Sequence, residues 1–192
     1  MSATDVFSGW VELRSLLNNA HSWAFGALTD IKAAIPFPVL EFHSDNGSEF
    51  INNATELWCA QENLSFTRSR DHKKNDNCFV EQKNGAVVRT YAGYEWLEGF
   101  EEQALLADVY THLVLLLNFF MPTQKLKSKT RAGSKEIRVY DEPRSPFQRL
   151  IECAELPQEC RDTLEARCAL YNPAGPQQNV NTAVLRLRRR LA

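Results

Sequence analysis

Asp45 and Glu81 are the residues whose type, spacing and surroundings first suggest chemistry. Asp45 stands in HSDNGSEF, directly after a short apolar run, and Glu81 stands in FVEQKN, near the start of a helical pattern. Thirty-five residues lie between them. A carboxylate at the C-terminal end of a strand is well placed for a ligand site in an α/β sheet. A second carboxylate on the first turn of a helix can point back at it across the intervening crossover. Such a pair suits Mg²⁺, a hard cation that takes oxygen ligands and is commonly held by one or two carboxylates plus substrate phosphates. Two such ions about 3.5–4 Å apart activate a water or a 3′-hydroxyl and stabilise the leaving oxygen in phosphoryl transfer. Asn46 and Gly47 supply a tight turn beside Asp45. Spacing alone leaves a second reading open, two acidic residues with no common task.

Phosphate chemistry also needs cations. Net charge is −2, yet Lys125, Lys127, Lys129, Arg131, Lys135 and Arg138 fall within fourteen residues, and the chain ends LRLRRRLA. Clusters of this kind suit phosphate contacts, and suit a solvated basic face or tail equally well. His43 shares a strand face with Asp45 and reads either as a metal neighbour or as a hydrogen-bonded histidine. Asp5, beside Ser8 and Gly9, reads as a turn cap. There is no glycine-rich phosphate loop, which disfavours nucleotide hydrolysis.

The elements that must position these residues follow from periodicity. Residues 3–17 read as strand, turn, strand about Ser8-Gly9. A helix is predicted over 19–34, with Trp23, Ala27, Ile31 and Ala34 on one stripe, ended by Pro36 and Pro38. PVLEFH is a strand, 53–62 a helix and LSFTRS a strand. After the polar loop RDHKKNDN comes a helix over about 78–94. An amphipathic helix follows over about 100–119, with Leu105, Val109, Leu113, Leu116 and Phe120 on one face. Alternating strands and helices indicate an α/β layer architecture. Beyond Pro122 the chain turns basic and proline-punctuated, a linker or extended arm to about 146. A helical pattern over 146–170 follows, then the breaker NPAGPQQN and a short basic helix.

Bulk composition is that of a soluble globular chain: 192 residues, 44% hydrophobic and 24% charged. No uninterrupted apolar run suggests a bilayer span, so no membrane partner is expected, and the location expected is cytoplasmic. Five cysteines without a CxxC pair and four scattered histidines read as free thiols rather than a zinc site.

SDNGSEF, followed by the glutamate of VEQKN, resembles the retroviral-integrase superfamily, and more closely insertion-sequence transposases with an integrase catalytic core. TDVFSGWVE, FTRSRDHKKNDNCFVEQKNGAVVR and NFFMPTQKLKSKTRAG carry the same likeness in order, over roughly residues 3–147 and more weakly to about 170. The resemblance implies an RNase H-like α/β fold that cuts and joins DNA ends with Mg²⁺ or Mn²⁺. Asp45 matches the family's second catalytic aspartate and Glu81 its catalytic glutamate, both as metal ligands. DNA is the implied partner, with Lys73, Lys74, Asn84, Arg89, Lys125, Lys127, Lys129 and Arg131 as candidate contacts. A homo-oligomer or a full-length transposase is a further implied partner, and nucleoid association follows.

In the family the first catalytic aspartate lies on a first, central strand upstream of the DVFSGW-type turn. The expectation is therefore a core lacking its first strand over 1–122, with a basic arm and helical C-terminal extension over 123–192. An incomplete site predicts no strand transfer by this polypeptide. Without a recognisable upstream helix-turn-helix, sequence-specific end binding is not expected either. The rival expectations are a non-catalytic DNA-binding or dimerising protein that modulates a full-length transposase, or a decayed relic.

Overall fold

Strands β1 (Ser2–Thr4) and β2 (Val11–Leu13) pair antiparallel, Ser2 opposite Leu13 and Thr4 opposite Val11. The turn between them is closed by Asp5, whose carboxylate accepts from the Ser8 amide at 2.6 Å and the Ser8 hydroxyl at 2.5 Å. Gly9 takes φ +83°, a conformation open to glycine without a Cβ clash. Asp5 is thus the turn cap that its sequence position suggests. These and the following elements come from a computed structural model that describes residues 1–18, 20–44, 53–69, 87, 89–93 and 97–191.

Helix α1 (His21–Ala34) ends as expected at Ile35, which is extended because the residue before a proline is driven out of the helical region. Its buried stripe is Ala24, Ala27, Leu28 and Ile31, whereas Trp23 is 42% exposed. The helix is therefore rotated slightly from the stripe that periodicity picked. Strands β3 (Glu41–Ser44) and β4 (Ser65–Arg68) run parallel, Glu41 opposite Ser65 and Ser44 opposite Arg68. The chain crosses between them through α2 (Asn53–Gln61). Phe42 and Phe66 stack at 5.7 Å and pack with Leu28, Trp58, Cys59 and Leu64 on one side of the pair. Partial burial of these aromatics fixes the strand register, since a slip of one residue would turn the slipped strand's phenylalanine to the other face.

Helix α3 (Gly99–Leu115) continues as a π-helical turn over Leu116–Phe120. Val109, Leu113 and Leu116 of the predicted stripe are buried. So is Asn118, whose side-chain oxygen accepts from the Val11 amide and whose NH₂ donates to the Val11 carbonyl, both at 2.8 Å. One side chain thereby gives β2 the pairing that a neighbouring strand would give.

The segment that reads as a linker is a hairpin. Strands β5 (Leu126–Ala132) and β6 (Lys135–Tyr140) pair antiparallel around Gly133-Ser134, with Gly133 at φ +63°. Glycine at the first of two loop positions is the choice of a type II′ turn. Next come α4 (Pro146–Ile151), α5 (Gln158–Ala169) and α6 (Ala174–Leu191). A reciprocal capping box between Ser145 and Gln148, with Pro146 at the first position, starts α4. Pro176 falls in the first turn of α6, where no amide donor is required, so NPAGPQQN begins a helix more than it breaks one.

Val11 and Leu13 of β2, Val109 and Leu113 of α3, and Val180, Ala183 and Leu187 of α6 form one buried cluster. Trp10, Phe119, Leu150, Leu156 and Leu164 form a second. Helices from beyond residue 122 thus share the first cluster with β2 and α3, and the second with Trp10 just before β2 and Phe119 of the π-helical turn. The helical stretch Gly99–Phe120 is, among the described residues, long and apolar enough to cross a membrane by length and composition. Here it is the helix on which β2 and α6 pack. The three strand pairs are not hydrogen-bonded to one another among the described residues.

Candidate functional site

The parallel pair β3–β4 has its carboxyl edge at Ser44 and Arg68. Ser44 is the residue to which Asp45 is joined in sequence. Asp45 and Glu81 themselves, with Lys73, Lys74 and Asn84, lie outside the described residues. What is described is the polar face leading to that edge. The Thr67 hydroxyl donates to Glu41 at 2.7 Å, and His43 Nδ1 lies 2.8 Å from the Thr67 oxygen. His43 Nε2 lies 3.1 Å from the Ser69 hydroxyl, which in turn is bonded to the Ser44 carbonyl at 3.4 Å. With its proton given to Glu41, Thr67 is left to accept from His43 Nδ1–H. That sets the tautomer with the Nε2 lone pair toward Ser69, whose single hydroxyl proton goes either to His43 Nε2, at 3.1 Å, or to the Ser44 carbonyl, at 3.4 Å. His43 is hydrogen-bonded at both ring nitrogens, which suits the bland reading of the histidine over a metal neighbour. Glu41, Thr67 and Ser69 are not legible as partners in sequence without the strand register.

On the fit of a metal, the described side chains at this edge offer hydroxyl oxygens (Ser44, Ser69) and an engaged imidazole. Among the described residues no group of three or more His, Cys, Asp or Glu stands together. Asp45 and Glu81 lie outside the described residues; as a pair of carboxylates they would be a donor set suited to Mg²⁺ or Mn²⁺. The four described cysteines are free thiols.

The basic residues divide by role. Lys125 sits at the base of the β5–β6 arm, where its ammonium donates to the Val6 carbonyl at 2.7 Å and to the Phe7 carbonyl, 5.8 Å from the Phe7 ring centre. It ties the β1–β2 turn to the arm. Lys127, Lys129 and Arg131 lie exposed along β5, and Arg89 is exposed beside the helical turn Thr90–Ala92. Lys129 and Arg138 face one another across the pair, and Glu136 lies between them at 2.9 Å and 2.5 Å. The Lys129 ammonium first, and the Arg138 guanidinium next, hold the Glu136 carboxyl below its ordinary range. Beneath the arm, Asp141 accepts from Arg149 at 2.5 Å and from the Lys125 amide at 2.5 Å, which holds its carboxyl down to about 2. Arg149 also donates to the Thr123 carbonyl at 2.7 Å, fastening the arm to α4.

The C-terminal arginines go elsewhere. Arg190 reaches Glu101 at 2.8 Å and Glu102 at 3.2 Å, and Arg186 reaches Asp108 at 3.6 Å, all on α3. Two of the four cations of LRLRRRLA are therefore paired with acids of the core. Arg138 belongs to the basic cluster read from the sequence, but its pairing with Lys129 and the place of Glu136 between them are not singled out by residue type alone. The signal for them is the alternation of KSKTR against KEIRVY about Gly-Ser.

No protein-family model matches the chain. It is similar to a protein of Sinorhizobium fredii (strain NBRC 101917 / NGR234) named "Uncharacterized protein y4rM", with 38% identity over 149 residues, 78% of this chain and 43% of that protein. The chain thus spans less than half the length of the relative it matches.

Proposed function

We propose that this chain is part of a DNA transposase of the integrase kind, with an RNase H-like core that uses Mg²⁺ or Mn²⁺ to cut and join insertion-element ends. Asp45 and Glu81 are the carboxylate ligands it contributes. The observation that carries this reading is the β3–α2–β4 unit: a parallel pair whose carboxyl edge ends at the residue before Asp45. Ligands of open α/β sheets bind at that edge. When bound, the metal would neutralise charge on the phosphate and favour ionisation of the attacking hydroxyl or water. The chain's own residues orient and hold. Glu41 and Thr67 fix His43, and His43 with Ser69 stiffens the edge from which Asp45 extends. Lys73, Lys74, Asn84 and Arg89 serve as backbone contacts for DNA, and such a protein works at the nucleoid.

The exposed basic arm favours a second reading, a non-catalytic DNA-binding protein that modulates a full-length transposase, alone or as a homo-oligomer. One experiment separates the two. A ligand that binds only the folded state raises its melting temperature, by an amount equivalent to about 2.7 kcal/mol at a hundred times Kd. If Asp45 and Glu81 hold a cation without the family's first aspartate, millimolar Mn²⁺ or Mg²⁺ raises the melting temperature of the chain and not that of an Asp45→Asn, Glu81→Gln double variant. No response in either protein, or an equal response in both, removes the metal site and leaves the DNA-binding reading standing.

A further inference from the structure

The β5–β6 arm carries six cations and one acid between residues 125 and 140, while the whole chain has a net charge of −2, which leaves the remainder at −7. Every residue of β6 is exposed, including Ile137 and Val139 at 46% and 48%. A lone two-stranded hairpin is marginally stable in water. This one is nevertheless built with a II′ turn and a clamped base, through Asp141, Arg149 and Lys125, so it is held out as a preformed arm. Its length, polarity and charge call for an anionic partner with a regular repeat.

We infer that the arm is a duplex-DNA ribbon whose phosphate clamp is Lys129 and Arg138, with Glu136 occupying the phosphate position when DNA is absent. Three observations support this. Residues directly opposite one another share a face, which puts Lys129, Arg131, Glu136 and Arg138 together on one side of the arm. Same-face residues along a strand repeat at about 6.7 Å, close to the rise of two base pairs, about 6.8 Å. A two-stranded ribbon also fits the major groove of B-form DNA. Glu136 bridging two cations across the strands is what an anionic oxygen of a phosphate would do there, so the clamp is already arranged for a monoanion. Lys125 is outside the clamp, being spent on the Val6 and Phe7 carbonyls.

The biological sense of this ribbon rests on the reading of the chain as a DNA-acting protein, but its binding needs no metal. The test is therefore fluorescence polarisation of a labelled 20-base-pair duplex against the full chain, in EDTA, at several salt concentrations. The Lys129→Gln, Arg138→Gln double variant is expected to weaken binding severalfold and to flatten the slope of log K against log salt by about 1, for the one phosphate the clamp holds. Glu136→Gln is expected to do the reverse: tighter binding by severalfold, because the internal competitor is gone. A gain cannot be mimicked by misfolding. An unchanged or weaker complex with Glu136→Gln overturns the clamp, and so does wild-type affinity in the Lys129/Arg138 double variant. An RNA duplex of the same sequence, whose deep, narrow major groove excludes a ribbon, is expected to bind less well; equal binding overturns the duplex-DNA assignment. Because the arm is read in EDTA and the metal site by its response to Mn²⁺ or Mg²⁺, a failed metal site and a failed arm give different results.

Discussion

Two stretches of this chain are rich in arginine and lysine, and they meet opposite fates. In α6 the cations alternate with Val180, Ala183 and Leu187, which recur at helical spacing and are buried against α3 and β2. Docking that stripe brings Arg186 and Arg190 over the acids of α3. In the arm the cations alternate at strand spacing with Ser128, Thr130, Ile137 and Val139, too little apolar surface to anchor a two-stranded sheet on the core. Charge content does not decide where a basic segment goes. The apolar period that accompanies it does.

The comparison breaks most easily on its helical side. Leu187 is 1% exposed in the α3–α6 contact, and Leu187→Ala is expected to cost about 3–4 kcal/mol through lost transfer energy and the cavity left behind. Urea unfolding would measure it. If α6 is held mainly by its apolar stripe, DNA binding by the arm should survive in conditions where the variant remains folded. Asn118→Leu comes next. It leaves the Val11 amide and carbonyl without their partner inside the core, at about 2–4 kcal/mol for two buried groups. A stability within 1 kcal/mol of wild type would show that β2 finds another partner for those groups.

On the other side of the comparison, Asp141 holds the base of the arm. Its carboxyl titrates at about 2 in place of the ordinary 3.8, because Arg149 and the Lys125 amide favour the charged form. A depressed folded pKa adds stability that is whole above about pH 4 and is lost as pH falls through about 2. Asp141→Asn removes that contribution. The melting temperatures of the two proteins should differ at neutral pH and converge as pH is lowered through this window, and a constant gap would mean that the ion pair at the base contributes nothing.

Much of this was legible in the sequence, and the misses have physical causes. The β3–α2–β4 unit, the long helix with its Val109–Leu113–Leu116 stripe, and the Asp5 turn could be read because each combines a single period with a clear stop signal. The arm could not. In β5 the alternation runs cation against small polar residue, so the usual apolar signal of a strand is missing there, and the cues to the hairpin are Gly133-Ser134 and the short Ile137–Val139 alternation. Asn118 hides for a different reason: a polar residue on an apolar stripe looks like a flaw until the strand it pairs with is known. The polar chain from Glu41 to Ser69 depends on the parallel register of β3 and β4, which no single-strand pattern contains. The carboxylates that prompt the metal reading, Asp45 and Glu81, rest on motif and spacing and lie outside the described residues.

The smallest effect sharpens the comparison most. Arg190 touches Glu101 and Glu102, but its side chain is 52% exposed. Exposed ion pairs gain little, since water screens them and two long side chains must be ordered to make them. Arg190→Ala should therefore shift stability by less than about 1 kcal/mol, far below Leu187→Ala. Added salt should narrow the difference further, because the Debye length falls from about 10 Å at 0.1 M to about 3 Å at 1 M. Duplex affinity is expected to stay unchanged, because this cation already faces acids on α3. Were Arg190→Ala to weaken DNA binding as much as a clamp variant does, the division between a docked basic helix and a DNA-facing arm would fall, and both clusters would have to be treated as one surface.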